Sequence, residues 1–173
     1  MTLHQGNWEW MLHACTLALG RPLDPIYQPL HDPVADHFMH ALRSRFGARP
    51  LALATAARDV MRHRHTPRLI AVVADQAPGA GERCNYTTFL QQPTAFSLGP
   101  ETLARLLYCP LVFARCERLR RGHYAVEFSP IATAPRDAAT HWATERYARL
   151  AEASIRREPE SWLWSHRRWR ARR

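Results

Sequence analysis

The stretch Leu69-Ile70-Ala71-Val72-Val73-Ala74 decides the fold class of this chain. It is continuously apolar and partly β-branched, a pattern typical of a strand that is buried on both faces in a parallel or mixed sheet. The run ends at Asp75-Gln76. Ligands of open α/β sheets bind beyond the carboxyl ends of the strands. The pair is therefore either a candidate site or a turn with a capping aspartate.

The patterns on both sides of this strand predict an α/β fold with a mixed β-sheet flanked by helices. Asp32 has the character of an N-cap, because Pro33 suits the first position of a helix. The prolines near 25–30 favour an edge strand, and the last two extended segments favour an antiparallel hairpin. Helical patterns cover 10–19, 33–46, 56–64, 99–107 and 138–157, extended ones cover 25–30, 50–54, 110–114 and 123–128, and 77–92 has loop composition.

Composition limits the class of protein. The chain has 173 residues, of which 46% are hydrophobic, and this fits a single domain over 1–173 with a real core. It contains no apolar run long enough to span a bilayer and no signal-peptide pattern at its start. The four cysteines form no C-x-x-C pair, so we expect reduced thiols and no metal site.

The charge is strongly positive and is carried by arginine alone. The formal net charge is +9, and all 24 basic residues are arginine. Guanidinium groups bind phosphate and carboxylate in a bidentate manner, so anionic partners are one interpretation. A coding sequence that favours arginine codons is the other, although it explains the net excess of charge less well.

The N-terminal segment His4–Glu9 has the spacing of a base and its carboxylate. Gly6 permits a tight turn, and Asn7 is able to cap the following helix or to donate to an oxyanion. A carboxylate in the first helical turn would fix the tautomer of the imidazole, as in general base catalysis. The alternative is a structural histidine with a capping glutamate, since His31 and Asp36 repeat the spacing at a helix start.

The tail from Trp162 to Arg173 is the second constellation. Tryptophans beside arginines suit a membrane interface, phosphate groups or single-stranded nucleic acid. They equally suit a last helix that docks its tryptophans on the core and leaves a basic face in solvent. The residues are Trp162, Trp164 and Trp169, with His166, Arg167, Arg168, Arg170, Arg172 and Arg173.

These segments, taken in order, resemble the bacterial lipid A late acyltransferases, the lauroyl/myristoyl transferase branch of the lysophospholipid acyltransferase superfamily. The resemblance covers essentially the whole chain, and the tail is its most specific part. It is carried by His4-Gln5-Gly6-Asn7-Trp8-Glu9, by Asp75-Gln76 and by Pro159-Glu160-Ser161-Trp162-Leu163-Trp164-Ser165-His166-Arg167-Arg168-Trp169, with support from 87–90, 93–96 and the 111–124 hairpin.

The resemblance implies a glycerolipid-acyltransferase-like fold, no cofactor and an acyl transfer reaction. The donor would be an acyl-acyl carrier protein, and the acceptor would be a hydroxyl on an anionic glycolipid, a lipid A precursor. The enzyme would act peripherally at the cytoplasmic face of the bacterial inner membrane, with no nucleic-acid partner. His4 would be the base and Glu9 its orienting carboxylate, while Asn7, Arg43, Asp75 and Gln76 would line the substrate site.

The chain also departs from the family pattern. Family members carry a longer segment before the histidine, including a membrane anchor, so we expect this chain to correspond to their carboxyl-terminal portion. Phe89-Leu90-Gln91 stands where many members have Phe-Phe-Gly. Three alternatives stay open. The first is transfer to another glycolipid or lysophospholipid, the second is an arginine-rich module that binds membranes or nucleic acid, and the third is an inactive remnant of such an enzyme.

Overall fold

The computed structural model describes residues 1–133 and 139–169, and the chain forms two compact units. One unit is Asn7–Val72, and the other combines Met1–Gly6 with Val73–Arg173. Parallel strand pairs in the first and antiparallel pairs in the second confirm the predicted α/β class with mixed strand directions. The single domain over 1–173 stays a prediction.

The unit Asn7–Val72 is a three-stranded parallel sheet with three helices. Strand β1 lies in the middle, between β2 and β3. Its register with β3 runs from Leu23 opposite Leu69 to Ile26 opposite Val72. In chain order the elements are α1 (Trp8–Ala18), β1 (Leu23–Tyr27), α2 (Pro33–Ser44), β2 (Leu51–Ala52), α3 (Leu53–Arg62) and β3 (Leu69–Val72).

Local chemistry explains the helix boundaries of this unit. The Asn7 side chain accepts a hydrogen bond from the backbone N–H of Trp10 and caps α1. Asp32 caps α2 by accepting from Ala35 N–H at 2.7 Å, with Pro33 as the first helical residue. Both caps satisfy amides that have no partner inside the helix, and the predicted start of α2 is confirmed.

Two predictions about this sheet are wrong. The run from Leu69 is not buried on both faces, because Leu69 is exposed and the other three residues of β3 are only partly buried. The proline-containing strand β1 is central rather than at an edge. Pro25 is tolerated there because β2 is only two residues long and pairs with Ile26 and Tyr27, beyond the proline.

The second unit has two antiparallel hairpins, each a two-stranded sheet, and a long helix. The buried residues of this helix belong to the core of the unit. The core cluster includes Phe89, Phe113 and Tyr147, all almost fully buried. The predicted helix over 138–157 begins at Trp142, and its first residue lies outside the described ones. The elements are β4 (Cys84–Phe89), β5 (Gln92–Ser97), α4 (Gly99–Leu107), β6 (Leu111–Arg120), β7 (His123–Ala132), α5 (Trp142–Arg157) and a short 3₁₀ helix (Pro159–Ser161).

The prediction of a long loop over 77–92 is wrong, because β4 occupies much of it. The turn to β5 consists of Leu90 and Gln91, whose φ angles are 49° and 64°. This left-handed backbone is that of a two-residue hairpin turn, which asparagine and glycine favour. The second hairpin, β6–β7, is confirmed and is longer than predicted.

The first residues of the chain are well anchored in this unit. Thr2 forms a parallel bridge with Val73, and the N–H of Ala74 donates to the Thr2 carbonyl at 3.0 Å. The Tyr147 hydroxyl donates to the same carbonyl at 2.7 Å, and Leu3 is buried. The backbone that leads into His4 is therefore held on two sides.

Candidate active site

His4 and Asp75 form a close pair, although they are far apart in sequence. His4 Nδ1 lies 2.7 Å from Asp75 Oδ1, and the backbone N–H of His4 donates to Oδ2 at 3.1 Å. Asp75 is only 3% exposed, whereas the His4 side chain is 17% exposed. A buried carboxylate thus holds an imidazole whose ring is partly open to solvent.

Trp162 completes the set of donors around Asp75. Its indole Nε1–H donates to Asp75 Oδ2 at 2.7 Å. Burial by itself raises the pKa of the Asp75 carboxyl, but the hydrogen bonds from His4 and Trp162 outweigh it, and the net pKa is lowered. The carboxylate is therefore ionised at neutral pH and accepts a hydrogen bond from Nδ1–H, which corresponds to the tautomer with its lone pair on Nε2.

The backbone around His4 is fixed by the tail of the same unit. Leu163 N–H donates to the His4 carbonyl at 2.9 Å, and Gly6 N–H donates to the Ser161 carbonyl at 3.1 Å. Gly6 has a φ of +63°, and a Cβ there would lie 2.9 Å from the Cys116 carbonyl oxygen. Both the conformation and the close approach require glycine.

The segment after Asp75 contacts a second histidine. Gln76 is exposed, and Ala77 N–H donates to His166 Nε2 at 3.0 Å. His166 is thus the tautomer with its proton on Nδ1. Burial and the nearby positive charge of Arg168 lower the pKa of His166, and Asp75 partly opposes this, so the ring is neutral at neutral pH.

Glu9 and Arg43 form a bidentate ion pair in the unit Asn7–Val72. Arg43 Nη2 lies 2.6 Å from Glu9 Oε1, and Arg43 Nε donates to Oε2 at 3.1 Å. The Arg43 guanidinium carbon is 5.8 Å from the centre of the Tyr27 ring. Helices α1 and α2 are joined through this pair, whose geometry suits a guanidinium and a carboxylate.

The structure brings the predicted residues together as two pairs, His4 with Asp75 and Glu9 with Arg43. Asn7 acts as the N-cap of α1, which is one of its two expected roles, and Gln76 follows Asp75 on the surface. The orienting role of Glu9 toward His4 stays a prediction, as does substrate contact by Asn7, Arg43, Asp75 and Gln76.

Sequence reasoning missed two members of the site. Trp162 and His166 belong to the tail that carries the resemblance, but nothing in their spacing shows that they reach Asp75 and Ala77. Trp162 lies 87 residues from its acceptor and His166 lies 89 residues from its donor. The only signal in the sequence that linked the tail to the site was the order of the motifs along the chain. The predicted arginines Arg170, Arg172 and Arg173 lie outside the described residues.

Two further searches concern the parts of the chain that the structure describes. Within residues 1–133 and 139–169, no three His, Cys, Asp or Glu side chains are grouped so that they could hold a metal ion. Among the helices in those ranges, none combines the length and the apolar character that crossing a bilayer requires.

Comparison with known proteins identifies the class. Residues 1–171 match the family model described as bacterial lipid A biosynthesis acyltransferase. The chain belongs to this family, and it is therefore an acyltransferase of lipid A biosynthesis. No curated protein matches the sequence.

Proposed function

We propose that the chain transfers a fatty acyl group from an acyl-acyl carrier protein to a hydroxyl of a lipid A precursor, with His4 as the general base. The observation that carries the proposal is the 2.7 Å contact between His4 Nδ1 and the buried carboxylate of Asp75. This contact orients the ring with Nδ1 on the carboxylate, so that Nε2 is the nitrogen that would take the proton from the acceptor hydroxyl.

The reaction needs no covalent intermediate on the enzyme. His4 Nε2 takes the hydroxyl proton of the acceptor while the oxygen attacks the thioester carbonyl. The carbon–sulfur bond then breaks, and the imidazolium returns its proton to the leaving thiolate. Asp75 stabilises the imidazolium in between, because its negative charge lies beside Nδ1 and is itself held by Trp162.

The predicted carboxylate Glu9 and the observed carboxylate Asp75 have separate roles in this proposal. Asp75 orients the ring of His4. Glu9 and Arg43 form a rigid pair that supports the start of α1, directly after the base in sequence. Asn7, Arg43 and Gln76 are proposed to contact the substrates.

The positive charge suits anionic partners. The net charge of +9 favours an acidic carrier protein, a phosphorylated glycolipid and an anionic membrane surface. We propose that the protein works as a peripheral enzyme at the cytoplasmic face of the bacterial inner membrane, where these partners meet.

The test is acyl transfer measured with acyl-acyl carrier protein and a lipid A precursor in mixed micelles. His4→Ala is expected to lower kcat by about 10²–10⁴-fold, the usual contribution of a general base, with an unchanged circular dichroism spectrum. His123→Ala, which removes an exposed histidine of β7, is the matched control and should keep full activity. Transfer at the parent rate by His4→Ala would exclude His4 as the base.

Asp75→Asn and Glu9→Gln distinguish the two carboxylates. If Asp75 orients the ring, Asp75→Asn loses most of kcat, because an amide either misorients Nδ1 or fixes the wrong tautomer. Glu9→Gln is expected to act more weakly and mainly through stability. The reverse order of effects on kcat would favour the Glu9 mechanism.

A further inference from the structure

The tail of the chain forms an open cleft that the chemistry of His4 and Asp75 leaves unused. Its volume is about 420 Å³. One wall is shared with the active site, because Trp162 lines the cleft and donates to Asp75. The lining consists of Trp162, Trp164, His166, Arg167, Arg168 and Trp169.

Arg168 is the unusual member of the cleft. It is only 6% exposed, yet within the described residues it forms no ion pair with a carboxylate. Its Nη2 donates to the Ala95 carbonyl and its guanidinium carbon lies 4.7 Å from the centre of the Phe96 ring. Its buried Nε–H finds no acceptor among residues 1–133 and 139–169. Such a charge is costly unless a counter-ion joins it.

The other residues that line the cleft determine the charge and the shape of the ligand that it suits. The indole N–H groups of Trp164 and Trp169 are already bonded, to the Pro159 carbonyl and the Thr94 hydroxyl. Since Trp162 Nε1–H is also used, the tryptophans present aromatic rings rather than donors.

The polar groups that remain are cationic or neutral donors. His166 carries its proton on Nδ1, because Nε2 accepts from Ala77 N–H, and Arg167 and Arg168 add guanidinium groups. None of the described residues that line the cleft carries a carboxylate. The site therefore suits an anion with several acceptor oxygens that is attached to a body able to pack on aromatic rings.

We propose that this cleft binds a phosphate group carried by one of the two substrates. The proposal rests on the proposed function, in which the acceptor carries phosphate on its sugar headgroup and the donor carries a phosphodiester in its pantetheine arm. Binding would supply the counter-ion for Arg168 and would place the substrate next to Asp75 through the shared wall of Trp162.

The test is a titration followed by intrinsic tryptophan fluorescence, which does not depend on turnover. The probes are glucosamine 1-phosphate for the acceptor and 4′-phosphopantetheine for the donor, each beside its dephosphorylated counterpart. We expect one phosphorylated probe to bind about tenfold or more tightly than its counterpart, as charge-assisted hydrogen bonds require. The probe that shows this preference identifies the substrate.

The variant Arg168→Met separates binding from structure. It should weaken the binding of the phosphorylated probe by about 10- to 100-fold. Its thermal midpoint without ligand should stay equal or rise, because a buried charge without a directly paired carboxylate has been removed. Arg83→Met, at an exposed arginine of the same unit, is the matched control and should bind as the parent does.

Arg167→Met, at the exposed arginine of the cleft, gives a second readout if Arg168→Met does not fold, and it should weaken binding severalfold. Equal binding of phosphorylated and dephosphorylated probes overturns the proposal. So does parent-like binding by Arg168→Met, or by Arg167→Met where that variant is the readout. Absence of acyl transfer in a protein that still binds the phosphorylated probe would instead overturn the proposed function alone.

Discussion

Asp75 is the residue whose environment best explains the site. Its carboxylate accepts from the ring of His4, from the backbone N–H of His4 and from the indole of Trp162. Three donors compensate a charge that burial would otherwise neutralise. The same arrangement orients His4, because a ring with Nδ1 on Oδ1 and its own amide on Oδ2 has little freedom to rotate.

Asp75→Asn is therefore expected to change the pH dependence of stability. The native pKa of this carboxyl is lowered, so at acid pH the unfolded state takes up the proton first. The stabilisation by Asp75 is complete above about pH 5 and is lost as pH falls below the unfolded value of about 4 and through the native one.

Urea unfolding of parent and variant at a series of pH values provides the measurement. The free energy of unfolding of the parent should exceed that of Asp75→Asn by about 1–3 kcal/mol at pH 7, and this difference should shrink as pH falls below about 4. Other carboxylates act equally in both proteins and cancel in the difference. A difference that is independent of pH would mean that Asp75 is not held as an ion by its donors.

At this scale the sequence could indicate residues but not their partners. Asp75 and Gln76 were predicted correctly to follow a strand, because a polar pair after an apolar run has a local signal. The contact of Asp75 with His4 spans 71 residues and depends on how the chain returns. The spacing of His4 and Glu9 along the chain could suggest Glu9 as the partner of His4, but it contained no information on Asp75 or Trp162.

Helix α5 shows how one element is positioned by another. Its N-cap residue His141 provides no capping side chain and has a φ of 66°. Glu101, from α4, takes over this role. Its Oε2 accepts from Thr144 N–H at 2.9 Å and from the Thr144 hydroxyl at 2.7 Å, and its Oε1 accepts from His141 N–H at 2.9 Å. A carboxylate at a helix N-terminus also interacts favourably with the helix dipole.

Glu101→Gln should destabilise the protein by about 2 kcal/mol, since one of its two terminal atoms becomes a donor that faces backbone donors. Thermal or urea unfolding measures the loss. Glu127→Gln is the control, because Glu127 pairs with Arg115 on the surface of the β6–β7 hairpin, where ion pairs contribute about 0–1 kcal/mol. Equal effects of the two substitutions would show that Glu101 does not cap α5.

Elements with strong local signals were predicted, and those set by distant contacts were not. Helix α2 was found through Asp32 and Pro33, whose effects are local. The β4–β5 hairpin was missed because Leu90 and Gln91 adopt left-handed backbone without a glycine or asparagine. Phe89, the last residue of β4 before the turn, is fully buried, so packing in the core compensates for the unfavourable turn.

The whole molecule combines a large positive charge with apolar side chains on its surface. The net charge is +9, and α2 exposes Val34 and Phe38 by 78% and 64%. These two residues are four apart and lie on one side of the helix. Exposed apolar residues on a basic protein suit adsorption to an anionic bilayer, where charge and apolar burial act together.

The proposed peripheral location predicts binding to vesicles that depends on both the positive charge and the exposed apolar side chains. The protein should sediment with vesicles containing phosphatidylglycerol and much less with pure phosphatidylcholine. Raising the salt from about 0.1 M to about 1 M should release most of it, because the screening length falls from about 10 Å to about 3 Å. The double variant Val34→Ser/Phe38→Ser should bind several times more weakly at low salt, since about 25 cal/mol per Å² of apolar burial is lost.

Leu106→Ser/Leu119→Ser is the matched control, because it removes two apolar side chains of α4 and β6 that are also more than half exposed. Its binding should equal that of the parent if α2 is the element that enters the headgroup region. Equal loss in both double variants would indicate adsorption through general surface hydrophobicity, and binding to both lipid compositions alike would exclude the electrostatic contribution. Salt-sensitive binding to oligonucleotides, with no binding to anionic vesicles, would instead favour the nucleic-acid alternative. Counterion release from phosphates contributes to binding on nucleic acids and on anionic bilayers alike, whereas burial of apolar side chains contributes only on the bilayer.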